Sequence, residues 1–244
     1  HGVGTVTIVA KKQGAAGQAE AIAYLTFTVT AGSQEFIYTD HAGNELPKTA
    51  NNYNAYDEVY GRNKTFQLYT AGNPPDSTVT YQLKAGSPTD VIMVDAGGLV
   101  TILNASLNTQ MGKVIVEATS HDPNGNYTDK TIELPINIKK ANQTISFAGV
   151  TYATSGSGQV TPVITEQDIS SNDGGVTVND TDYYITIDNS ISTSTAWTND
   201  GVNIEYNYNG DSGLDIPLHV EKPANRNYNK AEADGMMHIM GPDE

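Results

Sequence analysis

Cysteine is absent from the 244 residues, which excludes disulfide scaffolds, thiolate metal sites and cysteine nucleophiles. Basic residues are scarce: 13 Lys and Arg stand against 28 Asp and Glu, for a net charge of −15. A phosphate backbone or an anionic membrane surface would be repelled, so no nucleic-acid partner is expected. No stretch approaches the run of about 18 apolar residues that a spanning helix needs, so no direct membrane insertion is expected either. The opening HGVGTVTIVAKKQG lacks both the charged n-region and the unbroken apolar core of a signal peptide. It reads as mature, folded sequence, an excerpt from a longer protein. Helical periodicity is missing throughout.

What is present is alternation. Hydrophobic residues make up 38% of the chain, and 14 Tyr with many Val and Ile argue for strands and turns rather than disorder. Val6, Ile8 and Ala10 repeat with a period of two, and Ala23, Leu25, Phe27 and Val29 do so after a short polar stretch. The same pair of runs returns as Val114, Val116 and Ala118, then Ile132, Leu134, Ile136 and Ile138. It returns again as Ile216, Leu218 and Val220, then Ala233, Met237 and Ile239. The dipeptide Asn126-Tyr127 recurs as Asn227-Tyr228. An internal repeat is the firmest architectural signal a sequence carries.

Upstream of the second copy lie VTYQLKAGSPTDVIMV and the turn Ala96-Gly97-Gly98, which leads into Leu99-Val-Thr-Ile. In the third copy Asn199-Asp200-Gly201 takes the turn position. Each full unit then holds roughly seven short strands at 8–12-residue spacing, the pattern of an immunoglobulin-like sandwich. The fold expected is all-β, with tandem immunoglobulin-like β-sandwiches at 32–141 and 142–244. Residues 1–31 supply only the last strands of a preceding unit. Alone they would leave unpaired edges and one bare apolar face, so a neighbouring domain or a second copy must complete them.

The segment VDAGGLVTI, the strand GKVIVEA, the Asn-Tyr loop and the closing KKANQTISF together resemble the bacterial immunoglobulin-like repeats of large surface proteins. The middle unit matches best. The third keeps the Asn-Tyr and the last strand, has AWTNDG in place of the Val-Asp turn, and places Pro217 inside a strand. The resemblance implies fold far more than function.

Three groups of residues invite a chemical reading. SHDPNGNYTDKT sets Asp122, Asn124, Asn126 and Asp129 within eight residues, oxygen ligands of the kind that gather Ca²⁺. A helix-flanked calcium loop wants Gly sixth and Glu twelfth. Counted from Asp122, Gly125 comes fourth and Glu133 falls inside a strand. The turn reading fits better: Pro and Asn-Gly bend the chain, and Tyr127 packs on the sandwich end with its hydroxyl on a backbone partner, much as a tyrosine corner does. Acidic turns at Asp180 and Asp182, and at Asp211 and Asp215, read as solvated loops. Tyr53, Tyr56 and Tyr60, interleaved with Asn and Asp, form the best candidate surface for a sugar or a protein.

Five histidines show neither an i, i+2 nor a His-Glu-x-x-His spacing, and no catalytic motif occurs. The expectation is a non-enzymatic structural or adhesive segment on a bacterial cell surface, without cofactor unless Ca²⁺ binds. It would serve as a stalk or as a module presenting a ligand to a protein or glycan receptor. Two alternatives are a virion or filament subunit that self-associates by strand addition through residues 1–31, and a carbohydrate-binding module.

Overall fold

The computed structural model describes residues 2–168, 184–187, 198–199 and 204–242. The chain opens with a two-stranded antiparallel hairpin, β1 (Gly4–Lys12) and β2 (Ala21–Val29), in which Ile8 faces Leu25 and Val6 faces Phe27. Every residue of both strands is exposed.

The first sandwich follows. Its strands are β3 (Ile37–Thr39), β4 (Lys48–Thr49), β5 (Asn52–Tyr53), β6 (Tyr56–Val59), β7 (Thr65–Gln67), β8 (Tyr69–Ala71), β9 (Thr78–Leu83), β10 (Ile92–Val94), β11 (Leu99–Ile102), β12 (Val114–His121) and β13 (Lys130–Lys139). One sheet runs β6-β13-β12-β9, a second runs β10-β11-β7, and β3 and β8 form a separate antiparallel pair. Of the inward residues predicted by alternation, Val114, Val116, Ala118, Leu134, Ile136 and Ile138 are fully enclosed and Ile132 is half-buried at the edge of the core. Facing them are Val91, Ile92, Val100 and Ile102.

The Val-Asp-x-x-Gly turn has a local cause. The Asp95 carboxylate accepts the backbone N–H groups of Gly97 (2.9 Å) and Leu99 (2.8 Å), tying the turn between β10 and β11. Gly98 adopts φ +87°, and a Cβ there would stand 2.9 Å from the Tyr81 ring. Only glycine meets both conditions.

The second sandwich repeats the plan with β14 (Gln143–Phe147), β15 (Thr151–Thr154), β16 (Gly156–Val160), β17 (Ile164–Asp168), β18 (Tyr184–Ile187), β19 (Thr198–Asn199), β20 (Ile204–Tyr208), β21 (Leu214–Lys222) and β22 (Ala231–Met240). Its larger sheet runs β15-β22-β21-β18. In each sandwich the last strand pairs antiparallel with its hairpin partner and parallel with an early strand: β13 with β6, β22 with β15. Ile204, Ile216, Leu218, Val220, Met237 and Ile239 form the core. The turn residues Asp200 and Gly201 lie outside the described residues.

Pro217 does sit inside β21, opposite Met236, as Pro135 sits inside β13, opposite Ile115. A central strand normally excludes proline because it owes N–H groups to two neighbours. For Pro135 the reason is visible: β6 pairs only from Ile136 onward. Pro135 therefore stands one position beyond its second neighbour, where no ladder bond is due on that side.

Candidate functional site: the Asn-Tyr loops

The loop between β12 and β13 is organised around Asp122, only 4% exposed. One carboxylate oxygen accepts the N–H of Asn124 (3.0 Å), and the other accepts those of Asn126 (2.7 Å) and Tyr127 (2.9 Å). Desolvation alone would raise this carboxyl, but the N–H groups of Asn124, Tyr127 and Asn126 outweigh it and hold the acid below its usual value. Asp129 is turned instead to His121, with Nδ1 2.8 Å from Oδ2. Asp122 and Asp129 are thus each held by partners within the turn.

The equivalent loop between β21 and β22 keeps the device with a neutral group. Asn225 Oδ1 accepts the N–H groups of Asn227 (2.8 Å) and Tyr228 (2.9 Å). An amide that replaces a carboxylate in the same role is filling a turn, since the oxygens face backbone donors in both. Two glutamines repeat as well. Gln34 Nε2 donates to the carbonyls of Thr128 and Ser120, and Gln143 Nε2 to those of Asn229 and Pro223. These bonds fasten each loop to the segment that enters its sandwich, the stretch before β3 in one and β14 in the other.

What the downstream loop does is visible at the junction. Linker residue Ala141 donates its N–H to Asn227 O and accepts from Asn229 N, both at 2.8 Å, a short parallel bridge. Asn227 then reaches into the first sandwich: Oδ1 accepts the N–H of Ala105 (2.9 Å) and Nδ2 donates to Asn104 Oδ1 (3.2 Å). Arg226 meets Asp90 at 2.7 Å and also donates to Ala105 O. Its guanidinium holds the Asp90 carboxyl below the usual carboxylate range. Lys140 Nζ donates to Asn225 O at 2.6 Å. Tyr228 is 8% exposed and joins the first sandwich's core, edge-on to Tyr60 with ring centroids 5.5 Å apart.

The upstream loop has the matching linker bonds. Gly32 donates its N–H to Asn126 O (2.8 Å) and accepts from Thr128 N (2.9 Å). Tyr127, however, is 40% exposed. Its ring lies against Gly32, where a Cβ would come within 3.1 Å. The tyrosine that packs inside the sandwich with its hydroxyl on a backbone carbonyl is Tyr38, fully buried and bonded to Val116 O at 3.0 Å.

The three tyrosines singled out from the sequence are spread over different tasks. Tyr53 is 7% exposed; its hydroxyl accepts the N–H of Tyr38 (2.8 Å) and donates to Glu45 (3.2 Å), and Lys48 lies over its ring. Burial raises its pKa, partly offset by those donors. Tyr56 stacks on Phe66 at 5.4 Å, and Tyr60 is buried at the junction. Of the acidic turns, Asp215 pairs with His238 (2.6 Å), while Asp180 and Asp182 lie outside the described residues.

No protein-family model matches the chain, and no curated protein does. Among solved structures it is similar to the mouse cadherin-23 EC22-24 fragment, with 11% identity, 97% of this chain and 74% of that one covered, and a TM-score of 0.35. It is similar also to mouse protocadherin-24 EC1-3 (11%, 97% and 79%, 0.36) and to Drosophila N-cadherin EC1-4 (10%, 98% and 57%, 0.33). The fold class, tandem immunoglobulin-like β-sandwiches, stands on the strand topology itself. No helix among the described residues is long and apolar enough to cross a membrane.

Proposed function

We propose that the chain is a non-enzymatic segment of an extracellular bacterial surface protein, in which tandem sandwiches act as a stalk or hold a binding module away from the cell. The observation that carries this reading is the junction. Tyr228 belongs to one sandwich by its backbone and to the other by its packing, and Asn227 and Arg226 fasten the same contact. A junction of this kind limits hinging and transmits load between units, which a stalk requires. The acidic surface keeps such an array soluble.

The same loop one unit upstream then meets the preceding unit, whose last strands are residues 1–31. By the repeat, β1 and β2 correspond to β12 and β13. A parallel strand is due on the outer edge of β2 and an antiparallel one on β1, as β6 and β9 serve the first sandwich. The exposed Val6, Ile8, Leu25 and Phe27 occupy the positions of Val114, Val116, Leu134 and Ile136. This bare face also supports a second reading, a filament subunit completed by strand addition from another copy.

Limited proteolysis of intact cells tests the location: the segment is expected to be shaved from the surface, and protection until lysis would refute it. Small-angle scattering tests the stalk. Residues 32–244 should behave as one elongated particle of narrow shape distribution, and Arg226→Ala with Asn227→Ala should broaden it. An equally broad wild type would overturn the reading.

A further inference from the structure

The outer face of the second sandwich carries a cluster that the junction does not use. Antiparallel pairing of β21 with β22 sets His219 directly opposite Asp234 and Glu221 directly opposite Glu232. Residues two apart share a face of a strand, and Ile216, Leu218 and Val220 take the inner one. All four polar side chains therefore project outward together. One ligand atom from each of His219, Glu221 and Glu232 lies within 4.8 Å of the others.

Two glutamates directly opposed across a ladder repel each other, yet here they share a cation. Lys230 Nζ stands 2.8 Å from Glu221 and 2.6 Å from Glu232. The imidazole is oriented independently of that bridge, since His219 Nδ1 is 2.8 Å from Asp234 Oδ1. When Nδ1 donates its proton to Asp234, the lone pair falls to Nε2. A carboxylate that fixes the tautomer in this way is the usual companion of a metal-ligating histidine. The three carboxylates and one ammonium sum to a local charge of about −2, which a divalent ion balances more fully once the lysine swings away.

We propose that His219, Glu221 and Glu232 form a binding site for a borderline divalent transition ion such as Zn²⁺, with Asp234 orienting the imidazole and Lys230 as the displaceable resident cation. One nitrogen and two carboxylate oxygens suit Zn²⁺ and its neighbours, whereas Ca²⁺ takes six to eight oxygens. Three protein ligands leave a position for water or for a group from a partner. The ion would staple the two longest strands of the second sandwich across their ladder. The first sandwich has no counterpart: the same register holds Thr119 opposite Thr131, and Glu117 and Glu133 are bonded to Gln82 and Lys84.

Calorimetric titration of the whole chain with ZnCl₂ tests the site, with CaCl₂ run in parallel. A saturable event of one Zn²⁺ per chain and a rise in melting temperature are expected, with neither for Ca²⁺. His219→Ala and Glu232→Gln should each abolish it. Asp234→Asn should weaken it by roughly 10–100-fold, and Lys230→Ala should tighten it. His121→Ala and His238→Ala, whose imidazoles meet Asp129 and Asp215 away from this cluster, should leave it intact. No saturable Zn²⁺ binding, undiminished binding by a folded His219→Ala chain, or equal binding of Ca²⁺ would each overturn the assignment.

Discussion

The two repeat tyrosines make an internal comparison: the same substitution at equivalent positions should differ several-fold in cost. Tyr228 is enclosed between two sandwiches, whereas Tyr127 presents nearly half its surface to water. Truncating a buried aromatic costs about 3–5 kcal/mol, of which the edge-to-face contact with Tyr60 accounts for about 0.5–1.5 kcal/mol. The residual exposure and the loop's freedom to relax place Tyr228→Ala near the lower end, at ~3 kcal/mol. Tyr127→Ala should cost under ~1 kcal/mol, as surface substitutions do. In urea, with a slope of about 1–3 kcal/mol per molar, the first change moves a midpoint by at least ~1 M and the second barely moves it. Two linked sandwiches need not unfold in one step, so hydrogen exchange read by mass spectrometry should localise the loss. Protection should fall at Ala105 and at Tyr60, whose N–H binds Lys139 O, although the substituted residue lies in the other sandwich. Equal costs at 127 and 228, or a loss confined to the second sandwich, would refute the shared core.

Three further perturbations follow from the same geometry. Asn227→Ala leaves the fully buried Ala105 N–H without its acceptor and should cost about 1–3 kcal/mol, measured by denaturation of residues 32–244. Gly72 holds φ +78° with Glu35 O only 2.0 Å from the place of a Cβ; Gly72→Ala should lose about 2–4 kcal/mol and lower the melting temperature of the first sandwich. Asp122 is depressed in the folded state, so its contribution is present above the unfolded carboxylate pKa of about 4 and is lost as pH falls through the lower folded value. Exchange protection of 124–127 should therefore fade on acidification. Asp122→Asn, which turns one of the two accepting oxygens into an NH2 donor, should remove that pH dependence and also loosen the loop, because backbone N–H groups face both oxygens.

Much of the fold is readable in the chain because long strands expose their period. β12, β13, β21 and β22 run eight to ten residues, enough for alternation to declare an inner face, and the recurring Asn-Tyr fixes their spacing. The Asp95 turn is equally legible, since carboxylate, glycine and strand follow one another. Tyr53, Tyr56 and Tyr60 are not. Tyr53 and Tyr56 lie in strands of two and four residues, too short for a period to show, Tyr60 follows the end of the second, and tyrosine suits a wet edge and a buried hydroxyl equally well. The role of the Asn227-Tyr228 pair was hidden for another reason: Tyr60, which meets the Tyr228 ring, and Asn104 and Ala105, which bond Asn227, come from the preceding unit, which nothing near residue 228 announces. His219 meets Glu232 only through the register of β21 on β22, so a search for local ligand spacing passes over it.

Because Tyr228 completes its neighbour's interior, the units of such an array are not interchangeable beads. A unit deleted, duplicated or spliced in must bring a socket shaped like Tyr60 and Ala105 at one end and an Asn-Tyr plug at the other. A cut between residues 141 and 142, which divides the chain cleanly by sequence, would leave a hole in one core and a stranded ring on the next. Repeat number in such a chain is free to vary only in steps that keep plug and socket matched, so neighbouring units must change together.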